Sequence, residues 1–243
     1  MRTFSAAAPG LATLPMYDWP ECRAATDAQW HQWRDALSGR GIGVPEDLTR
    51  SDDLQALWRD PRLLLGQTCW GPMEAGLQEH VQVIGQPDYS DFEGGEGPLY
   101  SSVILMRDGE GVPAPQDGAA RLPLGRLRGV RFAYNDMNSM SGLFGISRDL
   151  NAAGESLAIF AARLATGAHR ASIVAVAEGR ADVCAVDCRS WVLAREHEPA
   201  ASALCVVGWT ARRPGLPYIT SRSTDPATLE ALRAVLGVVA DGA

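Results

Sequence analysis

Ser139-Met140-Ser141-Gly142 is the stretch whose residue types and spacing best suit chemistry. It follows the apolar and aromatic run Val130–Tyr134 and the polar turn Asn135-Asp136. The run reads as a buried strand and the serine stretch as the opening of a helix. A helix start leaves backbone N–H groups without intrahelical partners. With the hydroxyls of Ser139 and Ser141 and the N–H of Gly142 beside them, such a turn is a receptor for an anion. The same residues also suit plain capping, in which Ser139 or Ser141 only satisfies its own helix. This stretch alone leaves both readings open.

Other polar residues fall at the same point of the chain pattern, just after a predicted strand: Tyr17, Thr68, Cys69, Asn135, His169 and Asp187. Thr68 and Cys69 precede a second helix start. His169 is a hydrogen-bond donor to an anion or a turn residue bonded to backbone. A carboxylate at Asp187 repels a fully ionised oxyanion, but accepts a hydrogen bond from a protonated one or pairs with an amine. Its alternative is a cap on the helix that carries Trp191. Tyr17 and Tyr134 pack either on the organic part of a ligand or in the core.

The elements that must hold these residues alternate between strand and helix, which predicts an α/β protein with largely parallel sheets. Ligands of such sheets sit beyond the carboxyl ends of the strands. Thr26-x-x-Gln29 reads as a capping box ahead of Trp30, Trp33 and Leu37, and Ser51 as the cap of a second helix. Leu63–Gln67 and Tyr100–Met106 read as strands. Leu157, Phe160, Ala161 and Leu164 share one helical face, and a further helix is expected from Arg170 to Glu178. Asp182–Val186 and Leu204–Trp209 are strands, and Asp225-Pro226 opens the last helix. The Gly- and Pro-rich segment from Asp108 to Ala120 marks a lobe boundary.

Composition narrows the function. The 243 residues carry a net charge of −7, and all 22 basic residues are Arg. An acidic chain without a basic run does not suit nucleic acid, so an anion site must rely on local donors. No apolar stretch is long enough to span a bilayer. The first ten residues lack the apolar core of a secretory signal, which leaves a cytoplasmic location open. Cys22, Cys69, Cys184, Cys188 and Cys205 are odd in number and scattered. Neither a disulfide framework nor a metal set is expected from them, and no cofactor is expected.

The segments Leu14-Pro15-Met16-Tyr17-Asp18, Leu65-Gly66-Gln67-Thr68-Cys69, Leu127–Ala133, Asn135-Asp136 with Ser139-Met140-Ser141-Gly142, and Gly167–Ser172 through Glu178–Asp182 to Asp187 occur together in this order. In this the chain resembles the phosphate/phosphonate-type substrate-binding proteins of ABC importers, from about Leu11 to Ile219. The resemblance implies a two-lobed type II periplasmic-binding-protein-like fold with a ligand cleft between lobes. Lobe one would span 1–106 plus 203–243 and lobe two 107–202, with crossings near Met106 and Ser202. It also implies a monomer that captures a small anionic solute by lobe closure, a periplasmic location and an ABC permease as partner. Two alternatives on the same fold are a cytosolic enzyme (a lyase or synthase of a cofactor pathway, with His169 and Asp187 as acid and base) and a ligand sensor.

Overall fold

The structure, a computed structural model, describes residues 10–238. The start of the chain, weighed above for a signal, lies outside the described residues apart from Gly10. Among the described residues eleven strands run in chain order: β1 (Leu11–Thr13), β2 (Leu63–Gln67), β3 (Val81–Gly85), β4 (Leu99–Tyr100), β5 (Ser102–Met106), β6 (Arg131–Tyr134), β7 (Ala162–Ala165), β8 (Val183–Asp187), β9 (Cys205–Trp209), β10 (Arg213–Pro214) and β11 (Tyr218–Ser221). The α-helices are α1 (Arg23–Ser38), α2 (Leu54–Trp58), α3 (Trp70–Glu74), α4 (Leu124–Leu127), α5 (Gly145–Ala152), α6 (His169–Ala177), α7 (Cys188–His197) and α8 (Pro226–Leu236).

The chain divides into two compact units. Among the described residues the first holds 10–68, 72–86 and 216–238, and the second 69–71 and 87–215. The first unit's sheet has the order β1-β2-β11-β3. Strand β1 is parallel to β2, and β11 is antiparallel to both its neighbours. So β1, β2 and β3 point one way and only β11 is reversed. Its core gathers Ala12, Trp30, Leu37, Leu65, Ile84 and Leu232.

The second unit has a five-stranded sheet of order β7-β6-β8-β5-β9 and the small pair β10-β4. Strand β6 is parallel to both its neighbours, β7 and β8, and β5 is antiparallel to β8 and β9. Here too a single strand is reversed. Phe132, Ile146, Leu150, Val183 and Ala185 fill the core, with Phe132 stacked on Phe160 at 4.6 Å.

Several expectations need correction. Strands β5 and β9, assigned above to lobe one, belong to the second unit's sheet, so the unit boundaries fall at 86/87 and 215/216 rather than near Met106 and Ser202. The cause is long-range pairing: Val103 faces both Val186 and Trp209. Leu157, Phe160, Ala161 and Leu164 do not form a helix. A single 3-10 turn at Leu157–Ile159 leads into β7, which gains its backbone partners along β6. Thr26 lies inside α1, where its hydroxyl bonds the Cys22 carbonyl at 3.2 Å. The cap of α2 is Asp53, which accepts from the Ala56 N–H, and Ser51 instead accepts from Asp53 N–H.

Candidate functional site

The site residues of the second unit stand where three adjacent parallel strands turn into helices. After β6, the Asp136 carboxylate accepts from the Asn138 N–H at 2.7 Å and its carbonyl from the Ser139 N–H at 3.1 Å. Ser139 then caps the helix: its Oγ accepts from Gly142 N–H at 2.9 Å. The first turn, Met140–Phe144, is a π-turn that runs into α5. Such turns leave the regular bonding ladder and recur at functional sites. A Cβ on Gly142 would overlap Asn135 Oδ1, so the turn needs glycine there.

After β7, Thr166 fixes the next turn, its hydroxyl donating to the Tyr134 carbonyl at 3.0 Å, and α6 starts at His169. After β8, Asp187 caps α7: its Oδ1 accepts from Ser190 N–H at 2.8 Å. The three helix starts meet through side chains. His169 Nε2 lies 2.8 Å from Ser141 Oγ and 3.4 Å from Asp187 Oδ2, and Ser141 Oγ lies 3.4 Å from Ser139 Oγ. Ser139, Ser141 and Asp187 are buried, and the His169 side chain is 13% exposed. Burial holds the His169 imidazole below its ordinary range, with the Asp187 charge opposing the shift. The ring is therefore neutral near pH 7. Three helix N-termini also direct positive dipole ends toward one place, which favours an anion.

Cys69 joins this group: Met140 N–H donates to its Sγ at 3.3 Å. Burial raises its thiol, against the pull of the Gly71, Met140 and Ser141 N–H groups. Tyr134 does not reach the group. It belongs to the core and its hydroxyl donates to Met137 Sδ at 3.1 Å. Asn135 Oδ1 and His169 Nδ1 are buried polar atoms with no partner.

Thr68 and Tyr17 belong to the first unit and are buried there. Thr68 follows β2, its N–H bonds the Pro217 carbonyl at 3.0 Å, and its Oγ1 has no partner. Tyr17 closes a 3-10 turn, Pro15–Tyr17, after β1.

Tyr100 was not foreseen. Its hydroxyl is buried without a partner, and burial raises it well above its usual value, with Cys69 and Asp187 charges adding to the shift. Its neighbour Ser101 accepts from the N–H of Cys188, the residue after Asp187, at 3.1 Å. Tyr100 lies two residues before Ser102, which pairs with Asp187, and no feature of its sequence neighbourhood marks it. Among the described residues no group of three or more His, Cys, Asp or Glu is arranged for a metal.

The family model for the periplasmic substrate-binding protein of phosphonate ABC transporters matches residues 70–240. The chain belongs to this family. A member of this phosphonate-binding family is a substrate-binding protein, and solute binding is its role. Solved structures agree on the fold. PhnD1 from Prochlorococcus marinus in complex with methylphosphonate is similar at a TM-score of 0.68 and 18% identity, over 93% of this chain and 82% of that one. A Xanthomonas citri protein bound to chloride ion gives 0.66 and 18%, over 94% and 83%. A binding protein component of an ABC phosphonate transporter from Pseudomonas aeruginosa gives 0.66 and 16%, over 94% and 74%. The fold is that of the type II periplasmic binding proteins. A comparison with curated protein sequences gives no match. No helix among the described residues is long and apolar enough to cross a membrane.

Proposed function

We propose that this family member captures a small oxyanion of the phosphate or phosphonate class and delivers it to an ABC importer. The observation that carries the reading is the meeting of three helix starts, those that bear Ser139 and Ser141, His169 and Asp187, beyond the carboxyl ends of β6, β7 and β8. Hydroxyl and amide donors at helix N-termini suit a compact, acceptor-rich anion. The orphan hydroxyl of Tyr100 supports a ligand that supplies the missing partner. Asp187 favours a ligand that keeps a proton or carries an amine over a fully ionised one such as sulfate. Cys69 completes the set of proposed contacts within the second unit.

An enzyme on the same fold gains no support from the geometry. A hydrolytic triad needs the hydroxyl on one imidazole nitrogen and the carboxylate on the other. Here both face Nε2.

The test is a thermal-shift and calorimetric screen of phosphate, phosphite, alkylphosphonates, sulfate and carboxylates. A true ligand at 100 times its Kd adds about 2.7 kcal/mol of stability. If no oxyanion shifts the melt, or if Ser141→Ala leaves a shift intact, the reading fails. Incubation with the same compounds followed by mass spectrometry reveals any turnover.

A further inference from the structure

One imidazole nitrogen faces two oxygens of different character. A neutral histidine carries its proton on either Nε2 or Nδ1, and the other nitrogen is an acceptor. Ser141 Oγ can donate or accept, whereas an Asp187 carboxylate only accepts. Its Oδ1 is already bound by Ser190 N–H, and its Oδ2 stands 3.4 Å from His169 Nε2. The Asp187 side chain is 2% exposed, so water does little to screen it.

We propose that Asp187 is a positioning residue: it holds the His169 proton on Nε2 and so leaves the Ser141 hydroxyl proton free for the solute. The inference rests on the solute-binding reading above. A bare Nε2 lone pair beside a buried carboxylate is repelled by it; a proton there turns the contact into an attraction. The other ring nitrogen agrees. Nδ1 is buried and has no partner, and a buried N–H without an acceptor is rarer than an under-satisfied acceptor.

With the proton on Nε2, that N–H donates to Ser141 Oγ at 2.8 Å. One of the two Ser141 lone pairs is then filled and its own proton points away from the ring. Ser139 is in the same state, since Gly142 N–H donates to its Oγ. Ser139 can then donate to Ser141 Oγ at 3.4 Å, which leaves the Ser141 proton as the one free for a solute. A site in this state prefers a ligand that presents only acceptors to Ser141, and rejects one that presents a hydroxyl or amine at that point. If the proton sat on Nδ1, the imidazole would instead draw the Ser141 proton to itself. Asp187 thus acts on the Ser141 hydroxyl through His169.

The first test needs no ligand. Nitrogen-15 NMR of the full unliganded chain near pH 7.5 reports the His169 tautomer, assigned by loss of the signal in His169→Gln. The expected result is a protonated Nε2 and a bare Nδ1; a protonated Nδ1 overturns the proposal. The second test is Asp187→Asn. The carboxamide oxygen keeps the bond from Ser190 N–H, and its NH2 faces Nε2, which must then accept. The proton moves to Nδ1, and affinity for methylphosphonate falls about tenfold or more. In a Ser141→Ala background the same change should have little further effect. An equal loss in both backgrounds overturns the proposal. If methylphosphonate and phosphate bind neither protein, the ligand class above fails, while the tautomer measurement still decides this inference.

Discussion

Gly142 packs against Asn135 so closely that any β-carbon on it would overlap the Asn135 Oδ1 atom, and would stand 3.1 Å from Ser139 Oγ. Both neighbours belong to the turn that presents the serines. Gly142→Ala must therefore push the Asn135 carboxamide aside or open the π-turn. Overpacking of this kind costs about 1–3 kcal/mol. Differential scanning calorimetry should show that loss, together with weakened binding of any oxyanion that stabilises the wild type.

The two serines should separate in mutagenesis. Ser139 satisfies the Gly142 N–H, so Ser139→Ala removes a cap and costs about 1 kcal/mol of stability along with affinity. Ser141 caps nothing; its partners are His169 and Ser139. Ser141→Ala should melt close to wild type in the absence of ligand and still bind the oxyanion more weakly. Equal melting points for the two variants would contradict this division of labour.

Tyr100 offers a test in the opposite direction. Its hydroxyl is buried with no partner, and an unpaired buried polar group is a cost to the fold. Tyr100→Phe should melt at or above the wild-type temperature without ligand, yet bind methylphosphonate more weakly. A lower melting point would mean that the hydroxyl serves the fold.

His169 sets a pH dependence of stability. Burial lowers its pKa in the fold from the ordinary value of 6.5. Below that value the unfolded chain takes up a proton that the folded chain refuses, so stability falls with pH between 6.5 and the lower folded value. Above 6.5 the group contributes no slope. Urea titrations at pH about 7.5 and about 5.5 should show the loss, and His169→Gln should reduce it.

Asp182 provides a control far from the serines in role. The Arg131 guanidinium holds its carboxyl well below the usual carboxylate range, with the Arg131 N–H and Arg107 adding to this and burial opposing it. The bonds run from Arg131 Nη2 at 2.7 Å and Arg107 Nη2 at 3.0 Å. Such a group stabilises the fold above its ordinary value of 3.8, and the contribution is lost as pH falls through the depressed folded value. Asp182→Asn should cost on the order of 1 kcal/mol near pH 7, since the group is partly exposed. Oxyanion affinity should not change in the same calorimetric titration.

What the sequence made legible was local. The strand Arg131–Tyr134, the turn after it and the capping chemistry of Ser139 and Asp187 depend on neighbours in the chain, and residue types report those directly. The capping roles and the clustering both hold: Ser139 and Asp187 cap their helices while standing beside Ser141 and His169. What stayed hidden depends on pairing between distant segments. Leu157 to Leu164 has helical spacing, yet β7 forms because Arg131 to Tyr134 offers it a sheet edge. The membership of β5 in the second unit follows from Cys205 to Trp209 and Val183 to Asp187 on either side of it. The place of Tyr100 depends on what surrounds its hydroxyl, and no spacing rule reports that.

The reversed strand β11 has a consequence for synthesis. It lies between β2 and β3, so segments near residues 63 and 83 wait for a partner that the ribosome makes only at residues 218–221. The five strands of the other sheet all come from residues 102–209, an almost continuous stretch that is complete before β11 emerges. A nascent chain stalled before Tyr218 therefore exposes the open edges of β2 and β3, which are templates for aggregation.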